Sequence, residues 1–221
     1  MKRIRKRAGE LRDVDVQLAL LASLGRKRDK DCVAVATALR KAREKQEKKI
    51  RVVVTDAIDS GLTERLARVC AEAKKQMAAH TVDLKGIADE FTEKLHNLPI
   101  SEGTLHGFRT ETKKLRYRTE LAPEGELRDA MITELKKVQD AIGLWHDGVM
   151  LSETAEEVLG SSKRTSLISI LQTRNRARYL ESLRVVDRAR LAILTLFEPP
   201  APKKPMVLVD ISASRGHAAT A

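Results

Sequence analysis

The sequence predicts an all-α fold made of antiparallel helices in two repeats. Three observations carry that expectation. Apolar residues recur at helical spacing almost without a break as far as Glu198. The interruptions are short, which joins neighbouring helices antiparallel. A stretch near the start of the chain is echoed by another well past its middle.

The helical segments follow from their periodicity and the breakers from their chemistry. LALLASL, LTERLARVCAEAKKQM and MITELKKVQDAIGLWHD each place apolar residues at i, i+3, i+4 and i+7. Between such segments fall Gly25, the Asp-Ser-Gly at 59–61, the run from Pro99 to Gly103, the Pro-Glu-Gly at 123–125 and the Gly-Ser-Ser at 160–162. Ser101 precedes a helical run and can cap it, with Thr104 as the alternative. Seven or eight helices result. After Glu198 the composition turns to PPAPKKP and a Ser/Ala/Gly-rich end, which predicts a disordered tail over 199–221.

Composition narrows the class. Apolar residues make up 42% of the 221 residues and aromatic ones only 3%, so the core must be built from Leu, Ile, Val and Ala. Cys32 and Cys70 lie in apolar-periodic segments without metal or redox spacing, and are expected as small buried hydrophobes in a reducing compartment. No apolar run approaches a membrane span, and the basic N-terminus lacks the apolar centre of a signal peptide. A cytoplasmic protein without a metal or cofactor is expected.

The net charge is +11, which suits an anionic partner but does not choose among nucleic acid, lipid and polyphosphate. The charge is uneven. Residues 1–59 carry 17 basic and 9 acidic side chains, residues 123–160 carry 3 and 9, and residues 161–198 carry 8 and 3. A basic region with a compensating acidic face is expected.

The echo pairs RKRAGELRDVDVQLAL, from Arg5, with QDAIGLWHDGVMLSE, from Gln139. Gly9 aligns with Gly143, Leu11 with Trp145, Asp13 with Asp147 and Val16 with Met150, at one constant offset. Each copy is followed by a long Arg/Lys-rich segment.

LHGFRTETKKLRY, residues 105–117, is the most distinctive stretch. On a helix, Phe108 and Leu115 fall on one side with Thr112 and Thr119 beside them. His106, Arg109, Lys113 and Arg116 form a stripe expected on the opposite side, about 15 Å long. Glu111 is the single carboxylate in the stretch. Like charges at this spacing weaken an isolated helix unless an anion or a neighbouring carboxylate offsets them.

Those residues, L-H-x-x-R-x-x-x-K-K-L-R-Y from Leu105 to Tyr117, resemble the signature of the CHAD domain, the conserved histidine α-helical domain. L-K-K-V-Q-D-A-I-G-L-W-H-D-G-V, from Leu135 to Val149, resembles the family's second signature and keeps Gln139, Asp140, Gly143 and Asp147. The resemblance covers about residues 1–198. It implies two four-helix bundles related by pseudo-twofold symmetry, with a basic surface that binds inorganic polyphosphate and performs no catalysis. It also implies a place beside polyphosphate granules. Residues 1–97 would be the first repeat and 98–198 the second. Carried over by position, the candidate contacts are His106, Arg109, Lys113, Lys114 and Arg116, with Lys114 the furthest from the stripe. Arg174 and Arg178, one turn apart on the last long helix, are added because such cations suit a polyanion. Asp140 and Asp147 are read as structural partners for basic side chains.

A complete member has a histidine helix in each repeat, and the chain as written begins beyond the first. The first bundle is therefore expected to be incomplete, with an apolar groove exposing Leu18, Leu21 and their partners on the 30–58 segment. A few hundred Å² of such surface corresponds to several kcal/mol at roughly 25 cal/mol per Å². Either the reading frame upstream of Met1 encodes the missing helix or the groove is closed by self-association. Two other functions compete with polyphosphate binding. A fragment or companion of a CYTH-class triphosphate hydrolase would need a β-barrel and an E-x-E-x-K motif, and the nearest string, E-K-Q-E-K at 44–48, has the wrong spacing. A nucleic-acid binder would lack a stacking platform, since the chain has three Phe, two Tyr and one Trp.

Overall fold

The computed structural model describes residues 1–77, 81–97, 101–160 and 165–198, and these form seven α-helices with no strand among them. They are α1 (Lys2–Ala22), α2 (Lys30–Asp59), α3 (Leu62–Met77), α4 (Leu84–Asn97), α5 (Glu102–Glu120), α6 (Glu126–Leu159) and α7 (Ser166–Thr195). The segment 199–221, expected as a tail, lies outside the described residues. None of the described helices is long and apolar enough to cross a membrane.

Local chemistry sets the helix ends. Gly25, Gly61 and Gly160 have φ of 71°, 74° and 89°, a left-handed backbone that favours glycine at the ends of helices. Asp29 caps α2 by accepting from the amides of Asp31 at 3.0 Å and Cys32 at 3.2 Å. Ser101 caps α5, and Thr104 completes a reciprocal box. The Thr104 amide donates to Ser101 Oγ at 3.3 Å, while the Ser101 amide donates to Thr104 Oγ1 at 2.9 Å. Both residues named as alternatives from the sequence thus serve the same cap.

Two apolar cores organise the helices. The larger joins α4 to α7. Phe91 of α4 and Phe108 of α5 have ring centroids 5.9 Å apart, and Leu135, Val138, Ile142 and Trp145 of α6 meet Val186 and Ile193 of α7. This packing unit begins at α4, because Ile87, Ala88 and Phe91 are buried in it.

The second core joins Leu21 of α1 and Val35 and Leu39 of α2 to Leu151 and Ala155 of α6 and Leu167 and Leu171 of α7. This corrects the expectation that Leu21 is exposed: it is 5% accessible, because the end of α6 and the beginning of α7 cover it. Leu18 is half-buried. A groove of about 430 Å³ does run between α1 and α2, lined by Leu18, Leu21, Cys32 and Val33 and rimmed by Arg40.

Helix α3 leaves this body. Every described side chain from Thr63 to Lys75 is exposed, Leu66 and Val69 included. Cys70 therefore does not behave as expected. Cys32 is buried, but Cys70 is exposed, because no helix among the described residues packs over the α3 stripe that carries it.

Candidate functional site

The basic residues singled out from the sequence lie on α5 and α7, with α6 between them. Helix α5 buries Leu105, Phe108, Thr112, Leu115 and Thr119. Thr112 and Thr119 satisfy their hydroxyls by donating to the carbonyls one turn back, Phe108 at 2.9 Å and Leu115 at 3.0 Å. Across the interface, buried Gln139 of α6 donates to the Thr112 carbonyl at 3.1 Å.

The buried arc of α5 extends as far as Leu105 and Thr112, and this changes the stripe. Arg109 and Arg116 do not stand opposite the core. They flank it and are half-buried, as is Lys113, while His106 is more exposed. The cause is the helix that α5 packs against: α6 draws the arc round toward the two arginines. The Arg109 guanidinium lies over Gly143, where a Cβ would stand 3.5 Å from Nε and 3.6 Å from Nη2. Gly9, its counterpart in the echo, has nothing within 4 Å of the same point.

The candidates divide by whether a carboxylate neutralises them. Lys114 is held at 2.7 Å by Glu111, which also takes Lys94 of α4 at 3.3 Å. The one acid of the 105–117 stretch is thus turned away from the stripe. Arg116 pairs with Glu120 at 3.3 Å and covers the Tyr117 ring at 4.9 Å. Arg109, Lys113, Arg174 and Arg178 make no ion pair among the described residues. Buried Nε of both Arg109 and Arg116 lacks a hydrogen-bond acceptor.

Arg178 reaches α6 through a second glycine. A Cβ on Gly148 would stand 2.6 Å from Arg178 Nη1 and would overlap Asn175 Oδ1. Asn175 spans the same notch, donating to the Gly148 carbonyl at 2.9 Å and to Ser152 Oγ at 2.8 Å. Burial, then the charge of Arg174, loosens the Arg178 proton, and Asp147 opposes them. Asp147 thus serves a basic neighbour as expected, whereas Asp140 is exposed and makes no ion pair among the described residues.

His106 meets a residue that the sequence reading passed over. Its ring centroid is 4.8 Å from that of His146 on α6, with the planes inclined by 34°. Partial burial, then His146, then Arg109 holds the His106 pKa below its ordinary value. His146 was passed over because it has no cations downstream; Asn175 is a single amide among arginines and gave no signal. The one available cue to both was glycine, since Gly143 and Gly148 mark where α6 lets neighbouring side chains approach. Among the described residues no three His, Cys, Asp or Glu side chains gather to hold a metal ion.

Comparison with known proteins gives one match. The model of the CHAD domain family matches residues 1–156, which include both α5 and the 143–148 stretch of α6. Neither a curated protein nor a solved structure matches the chain.

Proposed function

The chain belongs to the CHAD domain family, and from that premise we propose that it binds inorganic polyphosphate through the α5–α6–α7 surface and does not hydrolyse it. The observation that carries the reading is the set of cations without carboxylate partners. Arg109 and Arg178 are held against glycines of α6, and these two, with Lys113 and Arg174, make no ion pair among the described residues. A helix surface built only for solubility has little reason to hold guanidinium groups against glycine notches without an ion-pair partner. A chain with about one negative charge per phosphate supplies that partner repeatedly. Arginine offers it bidentate contacts and lysine a point charge.

Titration calorimetry with long-chain polyphosphate tests the reading. Binding is expected at low salt and should weaken steeply as salt rises, because each contact releases condensed counterions, as on nucleic acids. Duplex DNA should compete poorly, and no orthophosphate should appear on incubation. Absence of heat at low salt, or displacement by DNA at equal charge concentration, would overturn it. Release of orthophosphate would instead restore the hydrolase alternative.

A further inference from the structure

The histidine of the first signature accounts for His106 but not for the ring that faces it. His146 occupies a position that the second signature leaves open, between Gly143 and Asp147, yet α6 brings it to a centroid separation of 4.8 Å from His106. Arg109 lies beside His106. Its guanidinium is over Gly143, one turn from His146 on α6, and its charge acts on His106.

The charged groups around the pair are few. From α5, Arg109 faces His106; from α6, Asp147 Oδ1 lies 3.8 Å from His146 Nδ1. Glu102, one turn before His106, is drawn toward Arg176 of α7 at 3.5 Å, and Arg176 lies over the Tyr179 ring at 5.3 Å. Among the described residues no carboxylate is paired with His106. A positive charge placed on it is opposed by Arg109 beside it and by any charge on His146. His106 accordingly sits below its usual pKa, through partial burial and these two neighbours. An anion laid along Arg109 reverses that balance, since a phosphoryl oxygen can accept from both imidazolium rings at once.

We propose that His146 is a second imidazole contact for the polyphosphate chain, and that binding is coupled to uptake of protons from solvent by the His106–His146 pair. The proposal rests on the polyphosphate reading above. It extends that reading to a residue outside the signature and to a dependence of affinity on pH.

The experiment is calorimetry of the full chain with polyphosphate of one length, at about pH 6 and about pH 8, either side of the usual histidine titration. Two buffers of different ionisation enthalpy count the protons taken up. Affinity should rise toward pH 6 by up to about tenfold per pH unit for each proton bound. His146→Gln and His146→Ala should each reduce that slope and the proton uptake, leaving the melting temperature unchanged. Combining His146→Gln with His106→Gln should flatten the profile. Wild-type slope and proton count in both His146 variants would overturn the proposal while leaving the polyphosphate reading intact. Loss of all binding by the unaltered chain would overturn the polyphosphate reading itself, and this one with it.

Discussion

Arg109 of α5 lies in van der Waals contact with the place where Gly143 of α6 lacks a side chain, its Nε 3.5 Å from an added Cβ. Gly148, five residues on, is tighter: there an added Cβ would stand 2.6 Å from Arg178 Nη1 and would overlap Asn175. The two glycines should therefore respond to alanine with opposite sign. Gly143→Ala should be neutral or stabilising by up to about 1 kcal/mol, the usual helical gain over glycine. Gly148→Ala should destabilise by up to about 2 kcal/mol, since overpacking costs about 1–3 kcal/mol and the helical gain of about 1 kcal/mol offsets part of it. Urea unfolding of both variants checks this; equal effects would mean that the Gly148 notch is not tightly filled.

The division between paired and unpaired cations predicts which charges matter for binding. Lys113→Glu with Arg174→Glu should weaken polyphosphate binding by about tenfold or more, equivalent to about 1.4 kcal/mol. Lys114→Glu should have much less effect, because Lys114 is already held by Glu111 on the outer side of α5. Affinities at fixed salt decide between them. A Lys114→Glu variant as damaged as the double one would move the site to the other face of the helix.

The Asp29 cap should be visible in acid. Its carboxyl is held below the usual carboxylate range first by the Cys32 amide, against some desolvation, and then by the charge of Arg26. The folded value lies below the unfolded one. The stabilisation is thus complete above about pH 4, the ordinary aspartate value, and is lost as pH falls through the folded value. Asp29→Asn should keep the cap at neutral pH and remove this acid dependence, whereas Asp29→Ala should lose both. Melting temperatures across the acid range would show it.

Core and projecting helix should differ sharply in their tolerance of substitution. Phe108 is 2% accessible and stacked near Phe91, so Phe108→Ala should cost about 3–5 kcal/mol. Val69 on α3 is 64% accessible, and Val69→Ser should fall within about 0.5 kcal/mol of the unaltered chain. Denaturant midpoints test both; a large loss at Val69 would mean that α3 is covered in solution.

Much of this protein was determined by the sequence alone, and those features share one property: they are local. The helices, the glycine ends at 25, 61 and 160, the Ser101–Thr104 cap and the buried face of Phe108, Thr112, Leu115 and Thr119 each depend on residues within a few positions of one another. Helical spacing and capping chemistry fix such features before any tertiary contact forms. The family signature is local in the same way. What the tertiary structure decided depends on which helices meet. Arg109 and Arg116 flank the core because α6, not solvent, lies beside them; the cationic stripe could not show this from its own spacing. Leu21 is buried by residues well over a hundred positions away, and Cys70 is exposed because nothing described covers its helix. His106 meets His146 across 40 residues of chain. Periodicity states which face of a helix seeks cover. Only the packing of separate helices decides what covers it, and hence which charges keep a partner and which are left unpaired.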